Sequence, residues 1–176
     1  MLPSEPITVV LSENGWVRAA KGHDIDGRQL SYKSGDKFAA QVEGQTRQMA
    51  VFFDSTGRAY SLPGHSLPSA RSHGEPLSGR LSLPSGATVD QVVMGEATEQ
   101  YVLASSAGYG FICRLENMIS KNKSGKSVLT LPAKSKVVAP AKVKEGDWIV
   151  VVTTEPRLLV FSAQELPELA KGKGNK

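Results

Sequence analysis

Short apolar runs alternate with short polar segments along the whole chain. The apolar runs are rich in Val, Ile, Phe and Tyr, whereas Gly, Pro, Ser and Asp lie between them. This pattern is typical of β-strands joined by turns. Helical patterns are confined to residues 114–119 and 162–166, each long enough for one or two turns. No apolar run approaches the roughly 18 residues of a membrane-spanning helix, so we expect no membrane insertion.

A turn-and-strand pattern recurs about every fifty residues. Its copies are Asn14–Arg18, Thr56–Tyr60, Ala107–Phe111 and the weaker Glu155–Leu159, in which Gly15, Gly57, Gly108 and Pro156 are spaced by 42, 51 and 48 residues. Two further columns keep the same order, namely the runs 30–38, 81–89 and 129–137 and the glycines Gly74, Gly125 and Gly174. Repeats of this length indicate a solenoid, a propeller or an array.

The second and third repeats each predict four short strands. These are residues 51–53, 58–60, 81–83 and 89–93 in the second repeat, and 101–105, 110–114, 128–131 and 137–139 in the third. Four strands per unit favour propeller blades, which bury their faces against neighbouring blades. We therefore predict an all-β, propeller-like assembly that forms an incomplete or open ring. We expect one domain over residues 1–176, with repeats at approximately 6–50, 51–99 and 100–147 and a partial repeat at 148–176.

The first strand of each predicted blade can be placed from the repeat register. These strands should include Ile7–Val10, Val51–Phe53, Tyr101–Ala104 and Ile149–Val152.

Charge is unevenly distributed between the two parts of the chain. Residues 1–117 carry 10 basic and 12 acidic side chains, a net charge of −2, whereas residues 118–176 carry 11 basic and 5 acidic ones, a net charge of +6. A positive end on a nearly neutral body favours a polyanionic partner, although a solvated surface with a basic tail has the same composition. The single Cys113 excludes an internal disulfide and fits a reducing compartment.

Basic stretches in the long connections of the repeats are the main candidate binding residues. Lysines can displace counterions from a phosphate backbone without reading bases, and small Gly and Ser residues would let that backbone approach closely. Ordinary solvated loop charge is the alternative interpretation. The candidates are Lys21, Arg71, Lys121, Lys123, Lys126, Lys171 and Lys173.

Arginines and aromatic residues near the second strands allow two interpretations each. Arg18 and Arg58 would extend a cationic track around the rim, or they would be ordinary solvent-facing strand residues. Arg114 lies in the same region. The aromatic residues suggest base stacking, but their strand spacing favours core packing; they are Trp16, Tyr60, Tyr101, Tyr109 and Phe111.

Catalytic and metal-binding patterns are weak. His23, Asp24 and Asp26 form a short cluster, but no further residues complete a metal site with a recognisable spacing. His65 and His73 have no nucleophile–base arrangement around them. We therefore expect no catalytic residues, no metal and no cofactor in this chain.

Long runs of the sequence resemble one known family. Residues 9–24 (VVLSENGWVRAAKGHD), 54–58 (DSTGR), 67–71 (LPSAR), 106–113 (SAGYGFIC) and 171–176 (KGKGNK) are similar to the C-terminal domain of ParC, the A subunit of bacterial DNA topoisomerase IV. The resemblance covers essentially the whole chain. It implies a β-pinwheel, a propeller-like disc in which blades exchange strands with their neighbours.

The resemblance also implies a function without catalysis. A domain of this family would bind or bend duplex DNA and present DNA segments to the catalytic core for ATP-dependent topology change and chromosome decatenation. The catalytic tyrosine and the metal site would lie in the remainder of ParC, whereas the ATPase would lie in its partner subunit. The implied location is cytoplasmic and nucleoid-associated.

The sequence departs from the gyrase A version of the domain. Gyrase carries a basic, glycine-rich box in its first blade, whereas residues 20–24 here read Ala-Lys-Gly-His-Asp, and the nearest match is Ala170–Gly174. This departure favours topoisomerase IV and argues against tight DNA wrapping. An interaction propeller that docks a chromosome-condensing protein is the alternative function.

Overall fold

The computed structural model describes residues 3–176 and consists almost entirely of short antiparallel strands. The strands are β1 (Pro6–Ser12), β2 (Trp16–Lys21), β3 (Phe38–Gln45), β4 (Met49–Asp54), β5 (Arg58–Pro63), β6 (Glu75–Pro76), β7 (Val89–Met94), β8 (Gln100–Ala104), β9 (Gly110–Arg114), β10 (Lys126–Ser127), β11 (Ala141–Val143), β12 (Trp148–Val152) and β13 (Leu158–Ser162). The four first strands predicted from the repeat register are β1, β4, β8 and β12, which confirms that part of the prediction.

Helical structure is limited to a few single turns. The helix α1 spans Leu115–Met118, and 3-10 turns occupy Gly27–Gln29, Gly64–Ser66, Leu77–Gly79 and Ala163–Glu165. The two helical turns expected at 114–119 and 162–166 are therefore present. No helix within residues 3–176 has the length and apolarity needed to cross a bilayer.

The first two blades are each built from two repeats. The sheet orders are β3-β1-β2-β6, β10-β5-β4-β7, β11-β8-β9 and β12-β13. In the first two sheets, a hairpin and a third strand come from one repeat, whereas the fourth strand comes from the next repeat along the chain: β6 pairs with β2, and β10 pairs with β5. This exchange of strands between neighbours is the β-pinwheel arrangement. Because the second and third repeats each supply strands to two sheets, the predicted repeat boundaries are divisions of the sequence and not of the sheets.

The fourth strand of each blade is not the one that the apolar runs predicted. Residues 81–83 form no strand, and residues 128–131 and 137–139 contribute only isolated bridges at Leu129 and Val137. The third strand of the third blade is instead Ala141–Val143. These runs are apolar because Leu81 and Leu129 are buried between blades (5% and 1% exposed), so packing and not strand pairing explains the pattern.

The second blade is buried on both faces because its strands alternate between two cores. Ala50 and Phe52 of β4 pack in one cluster with residues of the first blade, including Val9 and Leu11. The intervening Val51 and Phe53 pack in a second cluster with residues of the third blade, such as Leu103 and Phe111. The blades therefore stack through apolar side chains, as a repeat protein requires.

A buried carboxylate fixes the hairpin turn of the second blade. Asp54 is fully buried, and its Oδ1 accepts hydrogen bonds from the backbone N–H of Thr56 (2.8 Å) and of Arg58 (3.1 Å). Its Oδ2 accepts a hydrogen bond from the Tyr60 hydroxyl at 2.6 Å. Burial and the Asp54 carboxylate raise the pKa of Tyr60, so the phenol stays a donor.

The fourth sheet differs from the others because it has only two strands within residues 3–176. Its apolar side chains lie exposed, with Trp148 68% exposed, Val152 75% and Leu158 67%. Within residues 3–176, three packed blades are thus followed by a hairpin whose apolar side chains are uncovered. Whether the ring is open stays a prediction.

The glycine column marks the points where each blade touches the chain arriving from the next repeat. Gly74, Gly125 and Gly174 all have positive φ. A Cβ on these residues would lie 2.2 Å from the Val17 carbonyl oxygen, 2.4 Å from that of Ala59 and 2.1 Å from that of Gly110. The column is therefore required by close backbone contact between repeats, which explains these glycines without the phosphate approach that the sequence suggested.

We expect Gly125→Ala to destabilise the fold more than Gly86→Ala. Both glycines have positive φ, +64° and +77°, so both substitutions carry the left-handed strain of about 1–2 kcal/mol. Only Gly125 faces a backbone oxygen, since a Cβ on Gly86 would have nothing within 4 Å. Overpacking should add about 1–3 kcal/mol at Gly125. Urea unfolding measures the difference, and equal losses would show that the contact with Ala59 is not limiting.

Candidate nucleic-acid interface

The candidate interface consists of the segments that cross from one repeat to the preceding blade. We call residues 68–76, 119–127 and 168–176 the exchanged segments; they occupy equivalent positions around the three glycines of the column. Each joins a blade through backbone contacts, as in the pairing of Lys126 with Ala59 and the bridge between Asn175 and Gly110. Six predicted binding residues lie on these segments: Arg71, Lys121, Lys123, Lys126, Lys171 and Lys173.

Arginines hold each exchanged segment in place. The guanidinium of Arg18 donates to the Ser72 carbonyl at 3.0 Å in the first blade. Arg58 donates to the Ser124 carbonyl at 2.7 Å and to the Gly125 carbonyl at 3.2 Å in the second. Arg114 pairs with the Glu168 carboxylate at 2.7 Å in the third. Each of the first three hairpins thus carries one arginine that fixes the segment arriving from the next repeat.

Arg18 is neither a solvent-facing residue nor part of an exposed track, which corrects both interpretations made from the sequence. Arg18 is only 3% exposed. A second nitrogen donates to the Ser31 carbonyl at 2.7 Å, and the guanidinium lies 4.7 Å from the centroid of the Tyr32 ring. A period-two strand pattern cannot show this role, because both carbonyl partners come from distant loops.

Arg58 is half-buried and its guanidinium is already engaged by two carbonyl groups. It shapes the segment that carries Lys121, Lys123 and Lys126. Its effect on a bound phosphate would therefore be exerted through the position of those lysines.

The remaining cations of the exchanged segments are free to meet a ligand. Arg71, Lys121, Lys123 and Lys171 are exposed, and Lys126 is half-buried beside β5. Within residues 3–176, no carboxylate lies within ion-pair distance of any of these five side chains. Lys21 lies apart from them, exposed at the end of β2.

Several cations outside the exchanged segments are paired with carboxylates. Lys142 pairs with Glu99 at 2.6 Å, Lys37 with Glu13 at 3.6 Å, and Arg47 with Glu96. Surface pairs of this kind add little stability, but they cancel the positive charge locally. The five cations of the exchanged segments keep their full positive charge, because none of them has such a partner.

Two half-buried aromatic side chains next to turn glycines each make a cation–π contact with a lysine. The Lys173 ammonium lies 3.9 Å from the centroid of the Tyr109 ring, and that of Lys33 lies 3.7 Å from the Trp16 ring. Tyr60, Tyr101 and Phe111 are buried in the cores, as their strand spacing indicated. Trp16 and Tyr109 occupy the same position in the repeat register, and this alignment is the sequence feature that could have indicated the two lysine–aromatic contacts.

The weaker chemical candidates make ordinary structural contacts. The His23 ring contacts the Gly44 carbonyl at 2.9 Å and lies 3.9 Å from Glu43, and no group of three potential metal ligands occurs in the described part of the chain. Burial raises the pKa of Cys113 to about 11, which keeps the thiol protonated and unreactive at neutral pH.

Comparisons with known proteins give consistent matches over the whole chain. It is 58% identical over 178 residues to the A subunit of DNA topoisomerase 4 from Pseudomonas aeruginosa, covering 100% of this chain and 24% of the relative. The chain thus spans about a quarter of the length of the curated relatives it matches. No protein-family model matches it.

Solved structures show the same similarity. The structure of the E. coli ParC C-terminal domain superposes with a TM-score of 0.89 at 48% identity, covering 98% of this chain and 71% of that one. The DNA gyrase A C-terminal domain superposes with a TM-score of 0.72 at 13% identity, covering 96% of this chain and 58% of that one, which shows a shared fold.

Replacing Arg58 by Ala should loosen the second exchanged segment without unfolding the blades. Hydrogen bonds from a charged donor are lost, so we expect about 1–2 kcal/mol less stability. Hydrogen exchange should accelerate at the amides of Val128 and Leu129, which donate to the Gly57 carbonyl.

Arg157→Ala is the matched control, because Arg157 is 81% exposed and pairs only with the exposed Glu155. It should change stability by less than about 0.5 kcal/mol. Unchanged amide exchange in Arg58→Ala would refute a positioning role.

Proposed function

Because this chain belongs to the family of C-terminal domains of ParC, the A subunit of DNA topoisomerase IV, we propose that it binds duplex DNA on its exchanged segments. The supporting observation is the clustering of six cations without a carboxylate partner on equivalent segments of successive repeats. A duplex would lie along the edge of the arc and contact successive segments.

Binding on this edge would be independent of base sequence. Lysine side chains on exposed segments can neutralise phosphates and release counterions, but these segments present no helix or hairpin that could enter a groove and read bases. Arg71, Lys121, Lys123, Lys126, Lys171 and Lys173 are the proposed contacts, with Lys21 as an outlying one. Arg18 and Arg58 act by fixing the segments.

The proposed role in the whole protein is to hold or bend DNA segments and present them to the catalytic core. The relatives are named as topoisomerase subunits, and this chain corresponds to 24% of the length of one of them. DNA strand passage and chromosome decatenation would then depend on the rest of ParC, and ATP hydrolysis on the partner subunit. A chromosome-condensing protein is a second proposed partner.

The first test compares two lysine variants. Lys121, Lys123 and Lys126 changed together to Gln should weaken duplex binding and lower the slope of log affinity against log salt by up to about 2.7, or about 0.9 for each lost phosphate contact. If about four phosphates are contacted, the wild-type slope should be near −3.6.

Lys142 and Lys144 changed to Gln provide the control, since Lys142 is already paired with Glu99. This variant should bind nearly as well as wild type. Equal losses would mean that only total charge matters, and a larger loss from the control would place DNA on another edge.

The second test concerns catalysis. We propose that the isolated chain has no catalytic activity, because neither a nucleophile–base arrangement nor a three-residue metal cluster occurs in its described part. Purified chain should leave supercoiled plasmid intact in Mg²⁺ and should release no phosphate from ATP. Cleavage that disappeared with a point substitution in this chain would overturn the proposal.

A further inference from the structure

A groove runs between the second blade and the second exchanged segment. One wall is formed by the ends of β4 and β5 and by residues 79–81, and the other by residues 119–123. Its volume is about 660 Å³, within the roughly 300–1,000 Å³ of ligand-binding clefts. It includes two lysines of the proposed DNA contact, Lys121 and Lys123, and adds an apolar lining to them.

The groove combines an apolar lining with cations and has no acid. The apolar side chains are Met49, Leu62, Pro63, Leu81 and Ile119. Arg80, Lys121 and Lys123 are its charged residues, and none of the lining residues is Asp or Glu. No carboxylate in residues 3–176 pairs with these three cations.

The groove is preformed. The Ser120 backbone N–H donates to the Ser61 hydroxyl at 3.0 Å, and the Ser82 N–H donates to the Lys123 carbonyl at 2.9 Å, so the exchanged wall is tied to the second blade at both ends. Arg80 is held by the Ser66 carbonyl at 2.8 Å and by its hydroxyl at 2.9 Å. Little ordering would be required on binding, which favours affinity.

We infer that this groove is a docking site for an acidic peptide segment of a partner protein that carries a large apolar side chain. Carboxylates complement the three cations, and the apolar side chain covers Met49 and Ile119. A DNA backbone satisfies only half of this surface, since its phosphates have nothing to place on the apolar lining. Lys121 and Lys123 serve both ligands, so duplex DNA and the peptide compete.

The experiment selects ligands from a random library of 12-residue peptides on the immobilised chain. We expect the recovered peptides to be enriched both in Asp and Glu and in Leu, Ile, Phe or Met. The best synthetic peptide should lose at least tenfold in affinity with Lys121→Gln/Lys123→Gln and about tenfold with Met49→Ser. A duplex of 20 base pairs should displace it.

Met49→Ser removes an apolar contact without changing charge, so its salt slope for DNA should equal that of wild type. Val138→Ser is the matched control, because Val138 is 45% exposed and lies outside the groove. It should leave peptide affinity within twofold. Urea unfolding of each variant shows that the fold is retained.

The outcomes separate this site from the proposed DNA function. Peptides that are acidic without apolar enrichment, or that bind Met49→Ser as well as wild type, would overturn the inference and assign the groove to the DNA track. Recovery of no peptide above background would also overturn it. Peptide binding in a chain with no affinity for DNA would keep the groove and reject the proposed DNA function.

Discussion

The close backbone contact at the glycine column is the constraint on which the rest of the structure depends. At Gly74, Gly125 and Gly174, the chain of one repeat passes so near a strand of the preceding blade that no Cβ fits between them. This contact completes the sheets, because the fourth strands β6 and β10 follow directly after Gly74 and Gly125. It also carries the cations onto the same edge of each blade, since Arg71, Lys121 and Lys171 lie three or four residues before these glycines.

Assembly and the proposed DNA binding would therefore use the same segments of the chain for different purposes. The backbone of an exchanged segment hydrogen-bonds to the preceding blade, whereas its lysine side chains lie on the surface. Arg58 illustrates the division: its guanidinium is committed to the Ser124 and Gly125 carbonyls, and its charge fixes a loop instead of meeting a ligand. A surface built in this way is rigid where the backbone lies and adaptable at the lysine ends, which suits contact with a regular phosphate array.

The two apolar cores and the exposed fourth hairpin show that the stability of each blade depends on its neighbours. The second blade contributes to both apolar clusters, so its strands are the most completely buried. The fourth hairpin presents Trp148, Val152 and Leu158 to solvent. A two-stranded sheet alone is only marginally stable, because nothing covers its apolar side chains. A blade in this fold is therefore stabilised mainly by packing against its neighbours. Stability should therefore be graded along the arc, with the interior blade opening last.

The sequence by itself determined the repeat, the positions of the hairpins and the segments that carry the basic residues. Strand alternation and turn glycines are local signals, so β1, β4, β8 and β12 could be placed without a structure, and long similar runs indicated the family. Only the tertiary structure decided which repeat supplies each fourth strand, because the pairing of β10 with β5 joins residues more than sixty positions apart. It also decided that Arg18 is buried and that Met49 and Lys123 line one groove. It decided, too, that the glycines of the column allow close contact between repeats. Each of these depends on where distant backbone carbonyls and side chains meet, which no local pattern encodes.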